Sequence, residues 1–413
     1  MKRSLFLLIA ATVRLSAQSG EGSGATFGGL GSVAGGVTNR GVYQAGTPDG
    51  SYQNSQFGLR TTVPFGDRLA VSALVNWREE GQGLGAPRTD ITYLFATYRL
   101  SPAWDLRLGK VKFPNNLYSE VFDIGTLRPF LSLPQGIYGG TGNAFTSYTG
   151  IGVNGTAYLG DWQLGVAANV SGGTFRYSSP RGALIPGAPT GDIDVNITRS
   201  IGGRVFVRPP VPGLLIGFSG AAPSFFTCPG NGTILTCPIG VTGRQGSVQL
   251  EYVNSRLWLR SEYALLRAQG FIRTRAGYAQ AAWFLTKQWQ IAAQYDMLRE
   301  TFEIDVPLSP ASTLPPGAMS PIAPPPGATV PPTQMLPPNL GQLLPNTLDR
   351  HRDVALGLNY WFSPDIVAKL SVHDVDGWRF SRPGTSALIG GIMTRQFPPS
   401  RSRLLQAGIQ FNF

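Results

Sequence analysis

The chain has only two imidazoles, His351 and His373, so any chemistry that needs histidine must use one of them. Ser371 stands two residues before His373, and on an extended strand that spacing puts both side chains on one face. A serine hydroxyl becomes a nucleophile when an imidazole within hydrogen-bond reach takes its proton and a third group orients that imidazole. Spacing alone does not establish the reach, and a polar histidine on an inner strand face is the simpler reading. Gly150-Ile151-Gly152-Val153-Asn154-Gly155 has the spacing of a dinucleotide-binding turn. Such a turn aims a helix N-terminus at a pyrophosphate. Here the glycines lie in an alternating run that turns into another, and the match is rejected. Cys228 and Cys237 sit close together in TCPGNGTILTC, with neither histidine near them. In an exported chain such a pair closes a local loop disulfide. The sequence has no HExxH pattern, no Cys/His cluster and no calcium-loop spacing. Four Asn-x-Ser/Thr sequons, at Asn154, Asn169, Asn196 and Asn231, are common by chance in a chain this rich in Gly and Thr. No metal, no cofactor and no enzymatic activity is expected.

The elements that carry these residues alternate with a period of two. Phe57, Leu59, Thr61, Val63 and Phe65 share one parity; Gly66-Asp67 turns the chain, and Leu69, Val71, Ala73, Val75 and Trp77 follow. Ile151 to Leu159 and Trp162 to Ala168 repeat the pattern around Gly160-Asp161, as do Val354 to Phe362 and Ile366 to Val372 around Ser363-Pro364-Asp365. Each is a hairpin with a tight turn. The full set predicts strands over 24–36, 56–65, 68–78, 89–100, 104–112, 148–159, 162–171 and 199–208. It continues with 214–220, 247–254, 257–266, 276–286, 289–296, 353–362, 366–375 and 403–413. Long and short connections alternate throughout.

Charged residues are 14% of the chain, against roughly 25% in a soluble domain. Apolar residues are plentiful, yet downstream of the N-terminus no stretch of about twenty of them could cross a bilayer as a helix. A membrane chain without such helices must close its backbone hydrogen bonds in a barrel. The fold expected is therefore all-β, a transmembrane antiparallel β-barrel of about 16 strands with short periplasmic turns and long outer loops. Phe65, Trp104, Trp162, Trp289 and Phe362 stand beside the short turns, where an interfacial aromatic girdle would lie.

Both chain ends fit this reading. Lys2 and Arg3, the apolar run Leu5–Val13 and the small-residue exit Ser16-Ala17 predict a signal peptide over 1–17 and a barrel over 18–413. Leu405, Ala407, Ile409, Phe411 and Phe413 alternate with polar or small residues up to the last position. A terminal aromatic on an amphipathic strand, here Phe411 and Phe413, resembles the signal read by the barrel assembly machinery. Segment 297–352 is low in complexity: thirteen of 33 prolines lie between Pro307 and Pro345, and no charge occurs from Val306 to Leu348. Proline cannot serve a central strand, so this is an outer loop.

The formal charge is +11, or 11 − 3 = +8 without Lys2, Arg3 and Arg14 of the signal peptide. The cations are scattered, with no run of five or more, so a positive lumen fits better than a nucleic-acid partner. Away from strand ends the lumen parity carries Arg60, Arg107, Arg204, Arg260 and Lys369 against Glu262. Cations lining a narrow pore favour anions mildly; alternatively they pair with carboxylates and stiffen the wall.

Segment 113–147 is the most distinctive connection. Gly109, Lys110 and Lys112 precede Pro114; Leu117, Tyr118, Glu120 and Asp123 follow, then Arg128-Pro129, Leu133-Pro134-Gln135 and Tyr138. With Gly202-Gly203-Arg204, Leu250-Glu251-Tyr252, Ser261-Glu262-Tyr263 and Lys369-Leu370-Ser371-Val372-His373, this resembles the phosphate-selective porin family and its porin-like relatives. The resemblance implies a trimer of sixteen-stranded barrels, with the third loop folded inward as a constriction that holds Arg128, Glu120 and Asp123. The lumen cations here are fewer than a phosphate filter suggests. The function expected is passive diffusion of small solutes through the outer membrane, with a mild preference for anions. The competing expectation is a plugged structural or adhesive barrel that acts through its outer loops.

Overall fold

In the computed structural model the described residues are 24–44, 46–80, 87–139, 147–178, 192–227, 239–268, 272–302, 350–377, 379–382, 386–389, 392–395 and 401–413. The expected signal peptide, the expected Cys228–Cys237 disulfide and the Pro-rich part of 297–352 fall outside them.

Sixteen antiparallel strands form the wall. They are β1 Thr26–Thr38, β2 Ser51–Phe65, β3 Leu69–Glu80, β4 Arg88–Ser101, β5 Trp104–Lys112, β6 Ser147–Leu159, β7 Trp162–Ser178 and β8 Asp192–Arg208. The second half comprises β9 Leu214–Thr227, β10 Ile239–Val253, β11 Leu257–Ala268, β12 Ile272–Phe284, β13 Trp289–Phe302, β14 Arg350–Ser363, β15 Ile366–Asp376 and β16 Arg401–Asn412. Each pairs with its neighbour in sequence, and β16 closes on β1, with Val33 opposite Ile409. Closure leaves no unpaired edge, the condition for spanning lipid.

The turn ends of the strands fall where the alternation places them, while the loop ends run further. β8 begins at Asp192 and not at 199, β10 at Ile239 and not at 247, and β13 reaches Phe302 and not 296. Beyond the lipid edge the outer face need not be apolar, so the hydropathy pattern fades while the backbone ladder continues. Leu59, Leu108, Ile151, Leu356 and Leu405 are exposed on the outer wall, and Trp104, Trp162, Trp289 and Phe362 are exposed beside the short turns. Such an apolar outer surface is stable in lipid and not in water.

The seam explains the glycines of β1. A Cβ added at Gly31 would lie 2.2 Å from the Phe411 ring, and one at Gly29 would lie 2.1 Å from Phe413. Gly29 and Phe413 also exchange both backbone hydrogen bonds at 2.9 Å. The last aromatics therefore lie across the first strand and cover backbone that carries no side chain. Phe411→Asp with Phe413→Asp should abolish assembly, since charge on the lipid face and loss of both rings strike the closing strand. Normal amounts of heat-modifiable barrel from that variant would refute this.

Candidate functional site

Pro114, which has no N–H for the sheet ladder, follows the end of β5, and residues 113–139 turn into the lumen. This segment carries much of the buried apolar surface of the molecule. Tyr118, Leu133, Ile137 and Tyr138 pack against Ala276, Tyr278 and Leu298 of β12 and β13, and Phe130 packs against Ala282, Ala292 and Ala355. Alanines on the wall leave room for the loop's larger side chains.

Polar anchors fix the loop in turn. The Leu117 N–H donates to Glu262 Oε1 at 2.9 Å, and Tyr118 Oη donates to Gln280 Oε1 at 2.7 Å. Tyr138 Oη donates to Glu262 Oε2, which also accepts from Tyr278 Oη at 2.9 Å. Burial, and then the Glu262 charge, push the Tyr138 phenol well above its ordinary pKa, so it remains a donor. The Gly136 N–H donates to Asp296 at 3.0–3.1 Å, and Asn359 Nδ2 donates to the Pro129 carbonyl at 2.9 Å. Lys369 Nζ donates to the Gly125 carbonyl at 2.8 Å, the Arg128 carbonyl at 2.5 Å and Gln410 Oε1 at 2.6 Å. A buried ammonium is tolerable only with such a set of acceptors.

Several residues expected along an open channel therefore lie beneath the loop. Glu262 and Lys369 face inward but are buried, satisfied by loop groups. Arg260 donates to Glu251 Oε2 at 2.7 Å, to Tyr118 Oη at 3.1 Å and to the Leu127 carbonyl at 2.6 Å, and it does not pair with Glu262. Arg128, expected to face the pore, is 9% exposed and folds back onto the Phe122 carbonyl at 3.2 Å. Its guanidinium is drawn in because the loop's turn at Gly125–Leu127 brings it back towards that carbonyl. Asp123 is buried too: it pairs with Lys112 and accepts from Asn76 Nδ2 at 3.2 Å.

The charges that stay open lie on the other side of the loop. Arg107 on β5 faces Glu120 at 3.4 Å, with side-chain exposures of 25% and 46%. Arg78 on β3 faces Asp90 on β4 at 3.4 Å. Arg60 lies half-buried on β2 beside Gly28, and Arg204 is buried on the inner face of β8. Most of the loop's anchors thus lie on the β10–β16 wall, Asp123 ties it to β3 and β5, and among the described residues the wettest charged groups of the lumen cluster between Glu120 and β2–β5.

Ser371, His373 and Asp353 do come together. His373 Nε2 lies 3.0 Å from Ser371 Oγ, and Nδ1 lies 2.9 Å from Asp353 Oδ2. All three are buried, and Phe130 packs edge-on over the imidazole with centroids 6.0 Å apart. The second histidine, His351, lies 3.3 Å from Asp296, the acceptor of Gly136. Both histidines belong to the polar seat under the loop.

Sequence reasoning missed most of this seat. Gln249, Gln280, Asn359 and Gln410 each bond to the loop. Their signal was available: amides recur at the inner parity of β10–β16, where a merely wetted wall has no need of them.

No protein-family model and no curated protein matches the chain. Solved structures do. The DcaP outer-membrane channel of Acinetobacter baumannii aligns at TM-score 0.54 and 10% identity, over 94% of this chain and 97% of that one. The anion-selective porin of Comamonas acidovorans aligns at 0.50 and 13%, over 94% and 99%. OmpT of Vibrio cholerae aligns at 0.50 and 12%, over 95% and 99%. The fold is that of the porin-like outer-membrane barrels.

Proposed function

We propose that this chain is a passive diffusion channel of the bacterial outer membrane that admits small solutes with a mild preference for anions. The observation that carries the reading is the Arg107–Glu120 face: exposed charge beside an inward loop whose other side is firmly seated. Around it stand Arg60, Arg78 and Arg107 against Asp90 and Glu120, three cations to two acids. That is a slight positive bias and no dense cationic ladder, so we do not assign a phosphate filter. The names of the neighbouring structures, a channel and an anion-selective porin, support the same reading. Passage through such an aperture makes and breaks no covalent bond and needs no cofactor. Outer-membrane lipid, the barrel assembly machinery and two further copies of the chain in a trimer are the partners that go with this function.

The extent of the loop's anchoring favours a second reading, a plugged barrel that acts through its outer loops. Purified protein in a planar bilayer separates the two. The channel reading expects discrete, stepwise currents; a correctly folded barrel that passes none would overturn it in favour of the plug.

A further inference from the structure

The outer wall carries a second charged feature, unrelated to the lumen. At the loop ends of β10–β16 the outward parity holds Arg244, Arg267, Arg273, Arg275, Arg299, Arg350, Arg352, Arg401 and Arg403. Among the described residues, the acids of this face are Asp374 and Asp376. Asp374 is taken by Arg401 at 2.5 Å and Asp376 by Arg350 at 2.7 Å. Among the described residues, Arg244, Arg275, Arg299, Arg352 and Arg403 stand on this face beyond the two arginines so paired, and they give it a cationic character. The loop ends of β3–β5, by contrast, present Trp77, Glu79, Thr89 and Lys110 outward.

The register sharpens this. Arg275 stands opposite Arg299, and Arg299 opposite Arg350, in a row across three strands. Arg244 stands opposite Arg267, and Arg267 opposite Arg273, in a second row. Side chains so paired have Cβ atoms about 4.5–5.5 Å apart, where like charges destabilise a sheet. Among the described residues, no carboxylate forms an ion pair with Arg275 or Arg299. A row of guanidinium groups at this spacing matches an anion with several oxygens, each able to accept two N–H groups.

Position identifies the anion. Arg299 lies ten residues along β13 from the girdle residue Trp289. At about 3.3 Å per residue and a tilt of about 40°, that is about 25 Å of height, the thickness of the apolar band of such barrels. Directly below the patch come Tyr263, Tyr295, Val354, Val372 and Leu405, all exposed to lipid, and the Arg352 guanidinium lies 5.6 Å over the Tyr295 ring. The arginines therefore stand where the acyl region meets the headgroups of the outer leaflet. A second copy docked through this same face does not fit there, because its own arginines would repel.

We propose that this face binds the phosphate groups of a phosphorylated outer-leaflet glycolipid, whose acyl chains lie along β10–β16. The proposal rests on the barrel's seat in the outer membrane, not on what passes through its lumen. Its test is native mass spectrometry of the full barrel with diphosphoryl lipid A as probe, comparing wild type with Arg275→Gln/Arg299→Gln/Arg350→Gln. Retention by the triple variant should fall by about tenfold or more, as losing several charge-assisted contacts requires. Arg→Lys at the same three positions should recover part of it, and heat modifiability and conductance should match wild type. Equal retention by wild type and the Gln variant would overturn the proposal. So would an equal loss in Arg68→Gln/Arg208→Gln/Arg256→Gln at the turn end, or full displacement of the lipid by inorganic phosphate, which would mark a simple anion site. Conductance read on the same samples separates failure here from failure of the channel reading.

Discussion

Lys369→Met should loosen the inward loop and turn a steady channel current into a larger, noisier one. Methionine keeps much of the length of the side chain but removes the donors that hold Gly125 O, Arg128 O and Gln410 Oε1. Each buried acceptor left without a partner costs about 1–3 kcal/mol, so the loss is a few kcal/mol in all. The barrel ladder is untouched, so the cost falls on the loop, which swings away from β15 and β16. Single-channel recording checks amplitude and noise, and limited proteolysis of 119–131 reports the release. A plugged barrel would instead be silent as wild type and conduct only as the variant. Current and proteolysis both identical to wild type would mean that Lys369 does not hold the loop.

Arg107→Glu should move the reversal potential towards cations. The substitution changes two charge units at the most exposed ion pair of the lumen among the described residues, and it sets the introduced carboxylate against that of Glu120. For an ion passing at about 6 Å in water-like surroundings, two units are worth about 1.4 kcal/mol, or about tenfold in relative permeability. Lys287→Glu is the control: this residue is exposed at the short turn before Trp289. A charge there is screened within about 8 Å at physiological salt and should shift selectivity little. Equal shifts for the two variants would mean that overall charge sets selectivity, and no shift for Arg107→Glu would remove the aperture from this side of the loop. Arg128→Glu, which the sequence alone would rank as equally telling, should mainly disturb the loop, because that guanidinium is buried against Phe122 O.

The wall of this protein is written in its sequence. Lipid demands apolar side chains at every second residue, and tight turns demand Gly66-Asp67 or Ser363-Pro364-Asp365; both constraints act locally, so strand number, order and turn ends are readable residue by residue. Where lipid ends the constraint ends, and the outer extensions of β8, β10 and β13 could not be read. The inner face is different in kind. Arg60, Arg107, Glu262 and Lys369 share a parity, and their inward direction follows from it, but parity does not say which of them meets water. That was decided when residues 113–139 folded across the lumen, burying Glu262 and Lys369 against loop donors and carbonyls while leaving Arg107 and Glu120 exposed. Ser371 and His373 were visible as neighbours on one face, whereas Asp353 and the covering Phe130 come from another strand and from the loop. Burial and partnership depend on contacts between residues far apart in the chain, and only the closed barrel brings those residues together.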